Sequence, residues 1–413
     1  MKKIQTRFIV ILILLPLLSF SQQFNTIDST IQSEIALKNI SGGVAYIYHN
    51  NKVLYHKAFG FSNITDHQLM DTNSIFRIAS QTKAIISIAF LQLVDKNKIS
   101  LDDPLEKFIP AFKHQKVAVI AKDTMLFVEK NRSINIRDLL THTAGISSVD
   151  EYPKFKSLFD QYKLSQSLSN GYKNLEEEVN QIAKMPLVHQ PGDRFSYGFC
   201  TDVIGRLIEV VSGLPLDKYL MKNIFDPLNM VDTYFYLPQN KTNRLVKVYT
   251  KFSKDSLMEI NPAVFPVNYP LEKNSRFYSA IGGLVSTTHD YSQFLICLLN
   301  KGKTSNGKQI ISEQLLDQFW TNQIGDKTFV FGGVKSLNNF GLGVGLTTKA
   351  GQVINHASEG SYFWGGAFNT AYMVDRKRNL ITLFYFQRAP FVLPPLLSKL
   401  EKTTIDIVDN LKN

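Results

Sequence analysis

The chain has 413 residues, 44% of them apolar and 20% charged, a length that accommodates one large domain or two closely packed ones and a composition that excludes disorder on a large scale. Its formal charge of +11 comes from lysines and arginines scattered along the chain without interleaved aromatics, which points to solvated surface and argues against a nucleic-acid groove. Only Cys200 and Cys297 are present, which excludes a disulfide framework and leaves one bridge or two buried thiols; with no CxxC and no HExxH among the eight histidines, no zinc ligand set is visible and neither a metal nor another cofactor is expected.

At the N-terminus, Lys2, Lys3 and Arg7 precede an apolar run over residues 8–20 that ends in Ser19-Phe20-Ser21. This is the layout of a secretory signal peptide, and the run is shorter than the roughly 20 residues needed to span a bilayer. Residues 1–21 are therefore expected to be a cleaved signal. The mature chain, residues 22–413, is expected to be exported to the periplasm or secreted, with no stable membrane span.

Residues 27–37 have helical apolar spacing, and residues 43–48 and 53–59 read as a hairpin across His49-Asn50-Asn51-Lys52. From position 80 to 93, Ala84, Ile85, Ile86, Ile88, Ala89, Phe90, Leu91 and Leu93 leave no polar face, the pattern of a helix buried on every side. Residues from about 136 to 238 read as helices with polar, Gly- and Pro-punctuated connections such as Gln190-Pro191-Gly192-Asp193. Strand patterns return near 340–346, 364–374 and 380–386, and an amphipathic helix covers about 396–411. The expected class is α+β: an antiparallel sheet closed by both termini and flanked by terminal helices, with a mostly helical region inserted.

Ser80 and Lys83 stand three positions apart, so on a helix they share a face. A serine hydroxyl is a poor nucleophile without a neighbouring base, and a lysine desolvated by an apolar helix loses its proton near neutral pH. At the first turn, Ser80 would also benefit from unpaired backbone N–H groups and the helix dipole. The competing role for Ser80 is an N-cap. Ser-x-x-Lys is a weak signal alone, and a second copy exists at Ser305 and Lys308. That copy lies in a Gly-rich polar turn, where nothing would depress the lysine, so context selects Ser80.

Four stretches occur in order: Phe76-Arg77-Ile78-Ala79-Ser80-Gln81-Thr82-Lys83, Leu139-Leu140-Thr141-His142-Thr143-Ala144-Gly145, Pro191-Gly192-Asp193-Arg194-Phe195-Ser196-Tyr197, and Gly282-Gly283-Leu284-Val285-Ser286-Thr287. Together they resemble the class C β-lactamase-related serine hydrolases, with the penicillin-recognising fold, over most of the mature chain. The resemblance implies that Tyr197 shares the proton of Ser80 with Lys83, the neighbouring cation lowering the phenol's pKa so that the two act as one acid-base unit. It also implies that the third motif, on a strand beside the nucleophile, is Trp364-Gly365-Gly366. The two glycines would let backbone approach the substrate, and the N–H groups of Ala367 and Ser80 would form the oxyanion hole.

Two departures from the family pattern bear on the substrate. Phe199 stands where the family's Tyr-x-Asn places an amide that binds the acyl side chain, and Trp364 stands where a lysine or histidine is usual; the resemblance still implies that both, with Gly365, Gly366 and Ala367, line the substrate and oxyanion site. A carboxylate loses its cation and an apolar acyl or alcohol group gains a wall, a variant that resembles the esterase and acyltransferase branch. The expected activity is hydrolysis of a small ester, or an amide, through an acyl-enzyme. The alternatives are a β-lactamase or D-alanyl-D-alanine carboxypeptidase, and a non-catalytic or slowly deacylating ligand sensor. Lys303-Thr304-Ser305 is rejected as a third motif because it falls in a polar loop. His142 and His356 lack a Gly-x-Ser-x-Gly elbow to serve, and packing or capping is expected of His142.

Overall fold

Asn50 and Asn51 both take left-handed backbone angles, φ 47° and 63°, and His49 pairs with Lys52 across them. Asparagine tolerates that region, and a two-residue turn with both residues left-handed matches the twist of a hairpin. The strands so joined are Gly42–His49 and Lys52–Asn63, and helix Asn25–Ala36 precedes them. The computed structural model describes residues 23–121, 124–149, 151–164, 171–262, 266–272, 275–331 and 333–411. The expected signal segment at 1–21 lies outside the described residues.

The N-terminal hairpin joins strands from the other end of the chain. In spatial order the main sheet runs Asn339–Phe340, Gly345–Leu346, Tyr362–Gly366, Thr370–Asp375, Leu380–Tyr385, Gly42–His49, Lys52–Asn63 and Gln68–Leu69, and each neighbouring pair is antiparallel. Every residue of Gly42–His49 is buried because both faces of the sheet are covered. Ala45 and Ile47 point to a core shared with Ile27 and Ile31 and with Leu397 and Leu400 of the C-terminal helix Pro394–Asn410. Val44 and Tyr46 point the other way, into the core around helix Thr82–Asp95. The period-two alternation of side chains thus feeds two cores.

Helix Thr82–Asp95 is buried at every position from Thr82 to Leu93. Each fully buried isoleucine, leucine or phenylalanine on it is worth roughly 1.5–3 kcal/mol, so the helix is anchored all round and its first turn is rigidly placed. On its far side lie the helices Ile136–Leu140, Lys156–Gln161, Leu175–Ile182, Cys200–Ser212 and Leu216–Leu220, the helical region expected from the sequence. Cys200–Ser212 ends at Gly213, whose φ of 72° suits glycine.

Two strand expectations are corrected. Residues 340–346 form not one strand but a tight hairpin of Asn339–Phe340 and Gly345–Leu346, turned at Gly343 with φ 97°. Residues 364–374 contain two strands, Tyr362–Gly366 and Thr370–Asp375, separated by a turn in which Asn369 has φ 59°. The buried Asn369 side chain holds that turn, donating to the carbonyls of Arg388 and Pro390 and accepting from the N–H groups of Val392 and Leu393. Cys200 and Cys297 are both buried free thiols. Among the described residues no helix is long and apolar enough to cross a membrane.

Candidate active site

Strand Phe76–Arg77 pairs with Val285–Ser286 and delivers the chain to a short 3-10 turn, Ala79–Gln81, ahead of helix Thr82–Asp95. Buried Arg77 anchors the approach by donating to the carbonyls of Val267 (2.6 Å) and Val246 (2.7 Å). Ala79 has φ 42°, a left-handed conformation that costs a non-glycine residue about 1–3 kcal/mol and presents Ser80 at a sharp corner. No side-chain capping bond is made at this helix start, so Ser80 is not an N-cap.

The hydroxyl of Ser80 lies between an amine and a phenol. Lys83 Nζ is 3.1 Å from Ser80 Oγ and donates to the carbonyl of Ile281 at 2.6 Å. Tyr197 donates its phenolic hydrogen to Ser80 Oγ at 2.9 Å, and its ring centroid is 4.7 Å from Lys83 Nζ. Lys83 is 1% exposed, and burial pushes the amine down to about 7 despite the opposing field of Asp202. Burial pushes the Tyr197 phenol up, against opposing hydrogen bonds from Ser80 and Trp364. The expectation that a neighbouring cation lowers the phenol is therefore corrected: desolvation dominates, holding the phenol protonated and bringing proton loss from the amine close to neutral pH.

Strand Tyr362–Gly366 forms the opposite wall. A Cβ on Gly366 would lie 2.4 Å from the Ile78 carbonyl oxygen and 2.4 Å from Thr370 Oγ1, so only glycine lets this strand end dock against the turn that carries Ser80. Gly365 is less crowded, its nearest neighbours being Thr370 O at 3.4 Å and the Phe391 ring at 3.6 Å. Ala367, itself exposed, opens the turn that follows. The Trp364 ring sits 5.8 Å from that of Tyr197 and 5.3 Å from that of Phe340.

Phe199 departs from expectation. It is buried, packs on Phe159, and lines a small apolar cavity with Ile146, Leu164 and Met185. As the residue before helix Cys200–Ser212 it turns into the helical core rather than toward Ser80, and the expected substrate contact is withdrawn. His142 is buried with its ring 4.7 Å from that of Tyr197, and burial together with Lys83 holds it neutral; it packs behind the phenol. His356 lies within hydrogen-bond reach of Ser398 on the C-terminal helix. Ser305 and Lys308 are exposed in a loop turned at Gly307, φ 84°, and Lys303 is exposed beside them.

Sequence reasoning missed three contributors. Ile281 supplies the carbonyl that binds Lys83; its position immediately before the Gly282-Gly283 motif was the available signal. Asp202, fully buried, accepts from the Ile281 N–H at 2.9 Å. Phe331, 43% exposed, packs its ring 5.0 Å from that of Tyr197 and 5.9 Å from that of Trp364. With exposed Phe391 beside Gly365, it gives the cleft mouth an aromatic rim.

A family model described as Beta-lactamase matches residues 27–396. An uncharacterized protein of Mycobacterium tuberculosis is 29% identical over 371 residues, covering 85% of this chain and 86% of that protein. The lovastatin esterase of Penicillium rubens is 26% identical over 403 residues, covering 91% and 96%. Among solved structures, simvastatin synthase (LovD) from Aspergillus terreus superposes with a TM-score of 0.77 at 22% identity, covering 92% of this chain and 97% of that one, a likeness of fold.

Proposed function

The chain belongs to the Beta-lactamase family of serine hydrolases, and from that premise we propose that it is an exported esterase that cleaves a small apolar ester through an acyl-enzyme on Ser80. The observation that carries the reading is Ser80 Oγ held 3.1 Å from Lys83 Nζ and 2.9 Å from Tyr197 Oη, with the Trp364 indole 5.8 Å from the Tyr197 ring. Neutral Lys83 has one hydrogen engaged by Ile281, and its lone pair takes the Ser80 proton as Oγ attacks the carbonyl. Negative charge developing on the carbonyl oxygen is received by the N–H groups of Ser80 and Ala367. As the C–O bond to the alcohol breaks, Tyr197 gives its proton to the leaving oxygen and regains one from Lys83. In the second half, water attacks the acyl carbon, its proton passes to the same pair, and Ser80 leaves reprotonated.

Preference for an apolar ester rests on Trp364, Phe331 and Phe391, which wall the cleft with rings where a carboxylate substrate needs a cation. The lovastatin esterase relative is consistent with ester chemistry. Export rests on the basic and apolar segment at residues 1–21. Turnover of a short-chain nitrophenyl ester by the chain lacking residues 1–21 is compared with turnover of a chromogenic cephalosporin, using Ser80→Ala as control. A kcat/KM at least about 100-fold higher for the ester, abolished by Ser80→Ala, is expected. A preference for the cephalosporin would turn the assignment toward the β-lactamase alternative.

A further inference from the structure

Asp202 lies in the first turn of helix Cys200–Ser212 and is 0% exposed. Its Oδ1 accepts from the Ile281 N–H at 2.9 Å, and the neighbouring Ala280 N–H and Ser279 hydroxyl oppose the rise that burial imposes on the carboxyl. The carbonyl of the same Ile281 accepts from Lys83 Nζ at 2.6 Å. One loop residue is thus gripped at its N–H by a buried acid and at its C=O by the amine beside Ser80.

We propose that Asp202 is a positioning residue for Lys83, acting through Ile281: its carboxylate fixes loop 279–281 so that one amine hydrogen is bound away from Ser80 and the rest of the amine faces it. The inference rests on the hydrolase reading of Ser80. The groups surrounding Lys83 give Asp202 a second part in the same arrangement. Burial holds His142 neutral, the Cys200 thiol protonated and the Tyr197 phenol protonated. Among these neighbours Asp202 is the one able to carry charge near neutral pH. Burial raises its carboxyl, opposed by the Ile281 N–H and by Lys83, so acid and amine titrate as one unit. The negative charge makes the amine hold its proton to higher pH than burial alone would allow.

The test is the rate of fluorophosphonate labelling at Ser80 as a function of pH, with thermal melting as a fold control, in wild type, Asp202→Asn and Asp202→Ala. Asn keeps an oxygen for the Ile281 N–H and removes the charge. Its acid limb is expected to move down by about one pH unit with a cooperative melt retained. Ala removes the loop's anchor as well, and its plateau rate is expected to fall at least about tenfold. If Asp202→Ala does not fold, Asp202→Asn decides alone. An unmoved midpoint in a folded, labelled Asp202→Asn protein, or a wild-type plateau rate in a folded Asp202→Ala protein, overturns the inference and leaves the hydrolase reading intact. Absence of Ser80 labelling in wild type overturns the hydrolase reading itself.

Discussion

Burial acts in opposite senses on the two groups that flank Ser80. It disfavours whichever form is charged, so it depresses the Lys83 ammonium and raises the Tyr197 phenol. For the proposed mechanism this means a division of labour in which the amine accepts a proton and the phenol donates one, rather than two interchangeable partners. The residues themselves were legible, because Ser80 and Lys83 share a helical face and the Tyr197 stretch carries a family motif. Their titration order was not, since it depends on how completely Ile281, His142 and Trp364 enclose the site, and all three come from distant parts of the chain. Gly366 makes a sharp demand at this scale: with 2.4 Å from a Cβ to the Ile78 carbonyl oxygen, a methyl group forces the third strand away from the nucleophile's turn. Gly366→Ala is expected to lower kcat/KM at least about 100-fold for the best ester, whereas Gly365→Ala, with contacts no closer than 3.4 Å, is expected to be far milder. Equal effects of the two would remove the reason given for the glycine.

Among the elements, those with one dominant signal read correctly. The helix that begins at Thr82 is apolar around its whole circumference, and the Asn50-Asn51 turn has the chemistry a two-residue hairpin requires. The elements that misled were apolar runs interrupted by turns. Residues 364–374 look continuous because Phe368 and Ala371 are apolar, yet Asn369 adopts a left-handed conformation and is bonded to backbone groups more than fifteen residues away. Phe199 misled in the same way: a motif position named it, but the helix start at Cys200 turns its ring into the core. The C-terminal helix Pro394–Asn410 carries its own test. Glu401 is buried there and its carboxyl is pushed up to about 8. Because the folded state binds this proton more tightly than the unfolded state, the contribution is fully present below the unfolded value of about 4.3 and is lost as pH rises through about 8. Glu401→Gln is therefore expected to raise the melting temperature by several degrees at pH 9 relative to wild type and to change it little at pH 4. The same difference at both pH values would contradict that assignment.

At the scale of the molecule, the sheet accounts for where the chemistry sits. One face packs on the two terminal helices and the other on helix Thr288–Leu299 and the core around helix Thr82–Asp95, so Ser80 stands where sheet and helical region meet. That layering was readable from strands at both ends of the chain with helices between them. Its closure around the site was not, because the Ile281 loop and Phe331 lie far in sequence from Ser80 and have no periodic signal. The proposed chemistry depends on one physical condition, an uncharged amine beside Ser80 near neutral pH. The most direct measurement is the titration of Lys83 itself, followed by NMR of the chain from residue 22 onward carrying lysine labelled at the ε-carbon, with Lys83→Arg assigning the resonance. A midpoint near 7 is the expected result. A Lys83 that keeps its proton until the ordinary lysine range, near pH 10, would contradict it.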